Sequence, residues 1–223
     1  IYKYSDNCVE DFQYSNTLAI DGDGRVTGYD TNMGKKSQGN IFMNMFILKK
    51  ALFLDIVHNC VSRGDCDFFK DAVLRNLGNF KVYSYEFRGY LANINSTHNY
   101  YKTSMQLLDQ NISKDLFFRN GLIYTKVKDE PPTKYEANSR VTNSLVANGC
   151  IIDGQVENSI IFRGVRIKSG AVIKNSIVMQ NCLVEEDTFL RNVILDKGVR
   201  ITREKQLKGD ESHPTVIEKK AII

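Results

Sequence analysis

The chain has 223 residues, 42% hydrophobic and 25% charged, which suits one large or two modest soluble domains. Its formal charge of +4 is too small to imply nucleic-acid binding by itself. It has no run of about 18 apolar residues and no signal-like start, so no membrane association is expected and the chain reads as cytoplasmic.

The sequence opens on Ile1 and runs straight into YKYSDN, so it reads as a portion of something longer. Its five cysteines (Cys8, Cys60, Cys66, Cys150, Cys182) are odd in number and lack a Cys-x-x-Cys, which suits reduced, mostly buried thiols. His58, His98 and His213 lie far apart and belong to no triad or metal motif. Asn95-Ser96-Thr97 and Asn111-Ile112-Ser113 match a glycosylation acceptor, but with no secretory signal they read as chance.

The first element is a hairpin over 16–30, with Leu18 and Ile20 alternating before Asp-Gly-Asp-Gly. Asp21 and Asp23 do not make a calcium loop, because Arg25 stands where an oxygen ligand is required and Asn32 where a glutamate is. NIFMNMFIL (40–48) reads as a buried strand leading into a helix through Val57. DCDFFKDAVLRNL (65–77) reads as a second helix, with an aspartate cap and Phe68, Ala72 and Leu77 on one side. FKVYSYEF (80–87) alternates as a half-buried strand does.

GYLANINSTHNYYKTSMQLLD (89–109) reads as an extended segment, a cap at Ser96 or Thr97, and a helix. Its expected buried face carries Tyr100, Tyr101, Ser104, Leu107 and Leu108. NGLIYTKVKDEPPTKY (120–135) reads as a strand running into a Pro-Pro connector.

From about Ser139 the period changes. Asn143, Asn158, Asn175 and Asn192 each open an Asn-Ser-aliphatic-aliphatic motif (Val for Ser in the last), at intervals of 15, 17 and 17 residues. Cys150, Val165, Cys182 and Val199 repeat those intervals, and Val156, Ile173 and Leu190 recur every 17. Three apolar ladders sharing one period describe a three-sided coil with one short strand per face and turn. The asparagines suit corners, where a left-handed backbone is needed, and stacking would join their amides in a ladder.

These repeats resemble the hexapeptide left-handed β-helix of sugar-nucleotide pyrophosphorylases and many acyltransferases; the left hand is implied by that resemblance alone. Over the hairpin, DFFKD (67–71), IYTKVKDEPPTKY (123–135) and SRVTNSLVANGCIIDGQVENSIIFRGVRIKSGAVIKNSIVMQ (139–180), the chain resembles the C-terminal portion of bacterial glucose-1-phosphate adenylyltransferase (ADP-glucose pyrophosphorylase). Within that family it is most similar to the D-type regulatory subunit of glycogen biosynthesis. The resemblance implies an α/β plus β-solenoid fold: a partial nucleotidyltransferase-like domain over 1–128, a linker over 129–138 and a left-handed β-helix over 139–223. The family's glycine-rich nucleotide loop has no counterpart, since neither DGDGR nor MGKK (33–36) has its spacing.

The same comparison marks four departures from the catalytic pattern. Asn32 stands where a Glu-Lys-Pro lysine holds the sugar phosphate, and a short amide offers no ammonium. Phe42 and Asn44 replace the serine and glycine of a Ser-x-Gly turn that approaches the sugar. Phe69 replaces the glycine of Asp-Phe-Gly-Lys-Asp, whose Asp67, Phe68, Lys70 and Asp71 remain. Asn93 replaces the aspartate of Arg-Asp-Val-Gly-Thr that helps hold the divalent metal.

The resemblance therefore implies a non-catalytic or weakly catalytic subunit, paired with a catalytic adenylyltransferase subunit or with itself, with no cofactor in this chain and Mg²⁺ in the assembled enzyme. Asp67, Lys70, Asp71 and Asn44 are its vestigial sugar-site residues; a capped helix with an acid pair is the plainer and preferred reading of the first three. An active nucleotidyltransferase with a divergent site is the alternative. A hexapeptide acyltransferase, with a histidine as base, is disfavoured because none lies between His98 and His213. Arg163, Arg166 and Lys168 cluster on one turn, and Arg200, Arg203 and Lys205 follow two turns later. The first group is a candidate phosphate-effector site; a solvated face balanced by Glu185, Glu186 and Asp187 is preferred.

Overall fold

The computed structural model describes residues 1–4, 12, 15–31, 38–65, 67–119, 121–124 and 127–223. They form two compact units, 1–93 and 94–223.

In the first unit, strands β1 (Tyr2–Tyr4), β2 (Asn16–Ile20), β3 (Val26–Thr31) and β4 (Gly39–Ile41) form an antiparallel sheet in the order β1-β4-β2-β3. The expected hairpin is β2–β3. The Asp21 carboxylate closes its turn by accepting from the Asp23 amide at 3.1 Å and the Arg25 amide at 2.8 Å. The strand expected over 40–48 stops at Ile41. Asn44 takes a left-handed φ of 56°, which breaks the extended path, and Met45 and Ile47 point to solvent, 74% and 104% exposed.

Helix α1 (Lys50–Arg63) follows and closes on Gly64, whose φ of 72° lets its amide reach the Val61 carbonyl. The helix expected over 65–77 is helical but differently wound. A π-helical turn over Phe68–Val73 leads into a 3₁₀ turn over Leu74–Asn76. Over 81–86 the expected alternation of exposure is present, but in place of the strand expected over 80–87 there is a single bridge at Tyr83. The segment pairs with the hairpin through Val26 N–H to Val82 O and Ser84 N–H to Gly24 O, with Tyr83 opposite Arg25.

The second unit begins with helix α2 (Thr97–Gln106), capped by Ser96, whose hydroxyl accepts from the Asn99 amide at 3.0 Å. Helix α3 (Gln110–Lys114) and a π-helical turn (Asp115–Arg119) come next. No strand forms over 121–124, where Leu122, Ile123 and Tyr124 are exposed; no neighbouring strand pairs with them, and β propensity alone does not order a segment. The coil starts inside the expected linker, at Lys134–Tyr135.

From there the chain winds into three parallel five-stranded faces. The first carries Lys134–Tyr135, Ile151–Ile152, Arg166–Ile167, Leu183–Val184 and Arg200–Ile201. The second carries Arg140–Thr142, Gln155–Glu157, Val172–Lys174, Phe189–Arg191 and Gln206–Lys208. The third carries Leu145–Val146, Ile160–Ile161, Ile177–Val178, Val193–Leu195 and Thr215–Ile217.

The predicted ladders line the interior. Cys150, Val165, Cys182 and Val199, with Val156, Ile173 and Leu190, are all buried. The four corner asparagines have φ of 41°, 47°, 44° and 53°. Asn143 donates its amide to Asn158 and Asn158 donates to Asn175, each at 2.8 Å. The serines that follow the first three asparagines also join turns. Ser159 Oγ accepts from the Ser176 amide and Ser176 Oγ from the Val193 amide, both at 3.1 Å, while each hydroxyl donates to a carbonyl two residues back.

Candidate functional site

The first unit brings part of the predicted site together. Asp67 Oδ1 accepts from the Lys70 amide at 2.9 Å, and the Asp67 amide donates to Asp71 Oδ2 at 3.1 Å, so the two acids cap the π-helical turn. Asp71 is also paired with Arg75 at 3.0 Å, and Arg75 reaches Asp65 at 3.0 Å. The Lys70 side chain is exposed. Asn44, at its left-handed φ, keeps a turn that glycine usually supplies. Asn32 lies outside the described residues.

Beside this turn stands a group that sequence spacing did not reveal. Phe42 and Phe69 stack with ring centroids 4.0 Å apart and planes at 21°. Tyr29 meets Phe69 edge-on at 5.6 Å, and Phe46 lies 5.1 Å from Phe42 and 5.6 Å from Phe69. Phe42 is 8% exposed and belongs to a core cluster with Leu18 and Val26. The two residues are far apart in sequence, so only the fold pairs them.

Asn93 ends the first unit, and its Nδ2 donates to Ser15 Oγ at 2.7 Å. A neutral amide whose NH₂ is engaged by a serine brings no charge to a divalent cation. Among the described residues no group of three or more His, Cys, Asp or Glu side chains could hold a metal. This donor set does not fit a resident Mg²⁺.

On the solenoid, Arg166 and Lys168 lie exposed on the first face and Arg163 half-buried at the corner before it. None of the three forms an ion pair among the described residues. The acids expected to balance them pair with the later cluster, Glu185 with Arg200 at 2.6 Å and Glu186 with Arg203 at 3.0 Å.

The third face holds a contact that the sequence signalled only indirectly. Its outward residues Ile160, Ile177 and Ile194 are buried, and Tyr101 of α2 packs on the latter two with Tyr100, Met105, Phe162 and Met179. The Tyr101 hydroxyl donates to the Asn175 carbonyl at 2.6 Å and reaches Asn192 Oδ1 at 3.4 Å. Burial pushes the Tyr101 phenol up to about 12, with the nearby Glu211 charge adding to it. The signal was the aliphatic pair in each repeat, of which one member faces inward and the other outward, where α2 covers the middle of the strip.

A parallel solenoid of short strands turning at regular corners is the class of protein this fold defines, and the family of hexapeptide repeats described as GlmU-like, C-terminal hexapeptide matches residues 131–215. The chain is 39% identical over 177 residues to the glycogen biosynthesis protein GlgD of Bacillus subtilis, covering 79% of this chain and 51% of that protein. It is 55% identical over 71 residues to the GlgD of Geobacillus stearothermophilus, covering 32% of this chain and 21% of that protein. Against the glucose-1-phosphate adenylyltransferase of the same organism it is 36% identical over 139 residues, 62% of this chain and 35% of that enzyme. The chain belongs to the bacterial glucose-1-phosphate adenylyltransferase/GlgD-like family and carries its C-terminal hexapeptide region. It spans about half the length of the Bacillus subtilis relative. Among the described residues no helix is long and apolar enough to cross a membrane.

Proposed function

We propose that this chain is part of a non-catalytic or weakly catalytic regulatory subunit of glucose-1-phosphate adenylyltransferase, in glycogen biosynthesis. It pairs with a catalytic subunit that turns ATP and glucose 1-phosphate into ADP-glucose and diphosphate, and that subunit's site holds the Mg²⁺. The observation that carries this reading is Asn93. At the position where the family resemblance places a metal-holding aspartate, the side chain is neutral and donates to Ser15. Stabilising the charge of a nucleotide triphosphate in transfer rests on cations held by carboxylates, and an amide does not replace that field.

Co-purification of the full-length protein with a catalytic subunit, followed by Mg²⁺-dependent assay of each alone and of the pair, tests the proposal. We expect little or no turnover from this subunit alone and altered activity or effector response in the pair. Turnover matching a catalytic subunit would overturn it.

Arg163, Arg166 and Lys168, with no ion pair among the described residues, are the effector-site candidates of the same assembly. Replacing Arg163 and Arg166 with Ala weakens the response to phosphate-bearing effectors if they form that site. An unchanged response makes them a solvated face.

A further inference from the structure

We infer that the Phe42–Phe69 stack closes the sugar side of this site, so that the subunit excludes hexose 1-phosphate instead of holding it unreacted. The inference rests on the assignment of this site in the proposed function, and it concerns binding, where that reading concerns turnover. Its ground is a pairing: two positions that depart from small residues in the catalytic pattern, one a serine and one a glycine, both carry phenylalanine here. Their rings meet at 4.0 Å and 21°. Serine and glycine at these two positions would carry neither ring, and the space that the two benzyl groups take up lies between the end of β4 and the π-helical turn.

Tyr29 and Phe46 contact the Phe69 ring from two further directions and restrain it against Phe42. Admitting a ligand between the two rings would break their stack and expose the area it buries. A sugar entering there would lose water from its hydroxyls against apolar rings, without gaining hydrogen bonds in return. The two acids that survive from the motif offer little compensation. Asp67 is engaged by the Lys70 amide and Asp71 by the Asp67 amide and Arg75. The turn itself is kept, because Asn44 holds its left-handed angle. The frame is therefore retained while the space inside it is filled.

Ligand-observed NMR of the purified full-length protein with glucose 1-phosphate decides the matter, alongside Phe42→Ser/Phe69→Gly and the milder Phe69→Ala. The wild type should give no saturation transfer at millimolar ligand, and the double variant should gain at least tenfold in apparent affinity. If the double variant does not fold, Phe69→Ala is read in the same way. Wild-type binding within twofold of a folded variant, or a folded variant that gains no binding, overturns the inference. Wild-type binding without turnover would remove the closed site and leave the non-catalytic reading standing; turnover by the wild type alone would remove both.

Discussion

Asn158 and Asn175 each hold a left-handed backbone angle and one rung of the amide ladder. Asn175→Ala should cost about 1–2 kcal/mol from the backbone alone, and Asn175→Gly less, read as shifts in the urea midpoint. Ser176→Ala should cost about 1–3 kcal/mol by stranding the buried Val193 amide that its hydroxyl accepts. The thiols of Cys150 and Cys182 are pushed up, chiefly by burial, while backbone amides pull the other way. The unfolded thiols ionise first as pH rises past their ordinary value, so the solenoid should lose stability from there up to the folded value. Below that window the cysteines contribute no pH dependence. Denaturation midpoints measured across alkaline pH, with Cys150→Ala/Cys182→Ala as control, check this. At Asn93, restoring a carboxylate with Asn93→Asp should not restore turnover, since Asn32, Phe42 and Phe69 remain. Full activity from that one change in the adenylyltransferase assay would contradict the reading of this chain.

At the scale of elements, α2 gains little from intrinsic helix preference and much from the surface under it. Ile177 and Ile194 present a flat aliphatic strip, and the Tyr101 ring covers it while its hydroxyl bonds the Asn175 corner. Ile177→Ala should destabilise the second unit by about 2–5 kcal/mol through the cavity it leaves. Tyr101→Phe removes one hydrogen bond and should cost about 1 kcal/mol. Its distinguishing readout is faster hydrogen exchange across Thr97–Gln106 with the central solenoid amides unchanged. The π-helical turn over Phe68–Val73 was legible as helix from its cap and apolar side. Its winding was not, because periodicity in so short a segment does not separate a π turn from an α turn.

Across the second unit, each turn of the coil touches only its neighbours, so stability accumulates from one turn to the next. Amides of Ile160, Ile177 and Ile194 should therefore exchange more slowly than those of the first turn at Lys134–Tyr135, where one neighbour is missing. Leu145 and Val216, at the two ends of the outward strip, are 44% and 48% exposed, in line with a helix that covers only its middle. In the first unit, the long apolar run from Asn40 misled as a strand. Continuous hydrophobicity carries no period, and the left-handed Asn44 within it had no flanking turn signal to announce the break.

The repeat, its three ladders, its asparagine corners and its family were set by the sequence, because a coil stacks identical short pieces and each piece writes the same pattern again. Likewise the neutral side chain at Asn93 was visible residue by residue. What only the tertiary structure decided were pairings between distant segments: Phe42 with Phe69, Asn93 with Ser15, and Tyr101 with the third face. Such contacts depend on where two separate elements are carried in space, and no local period encodes that.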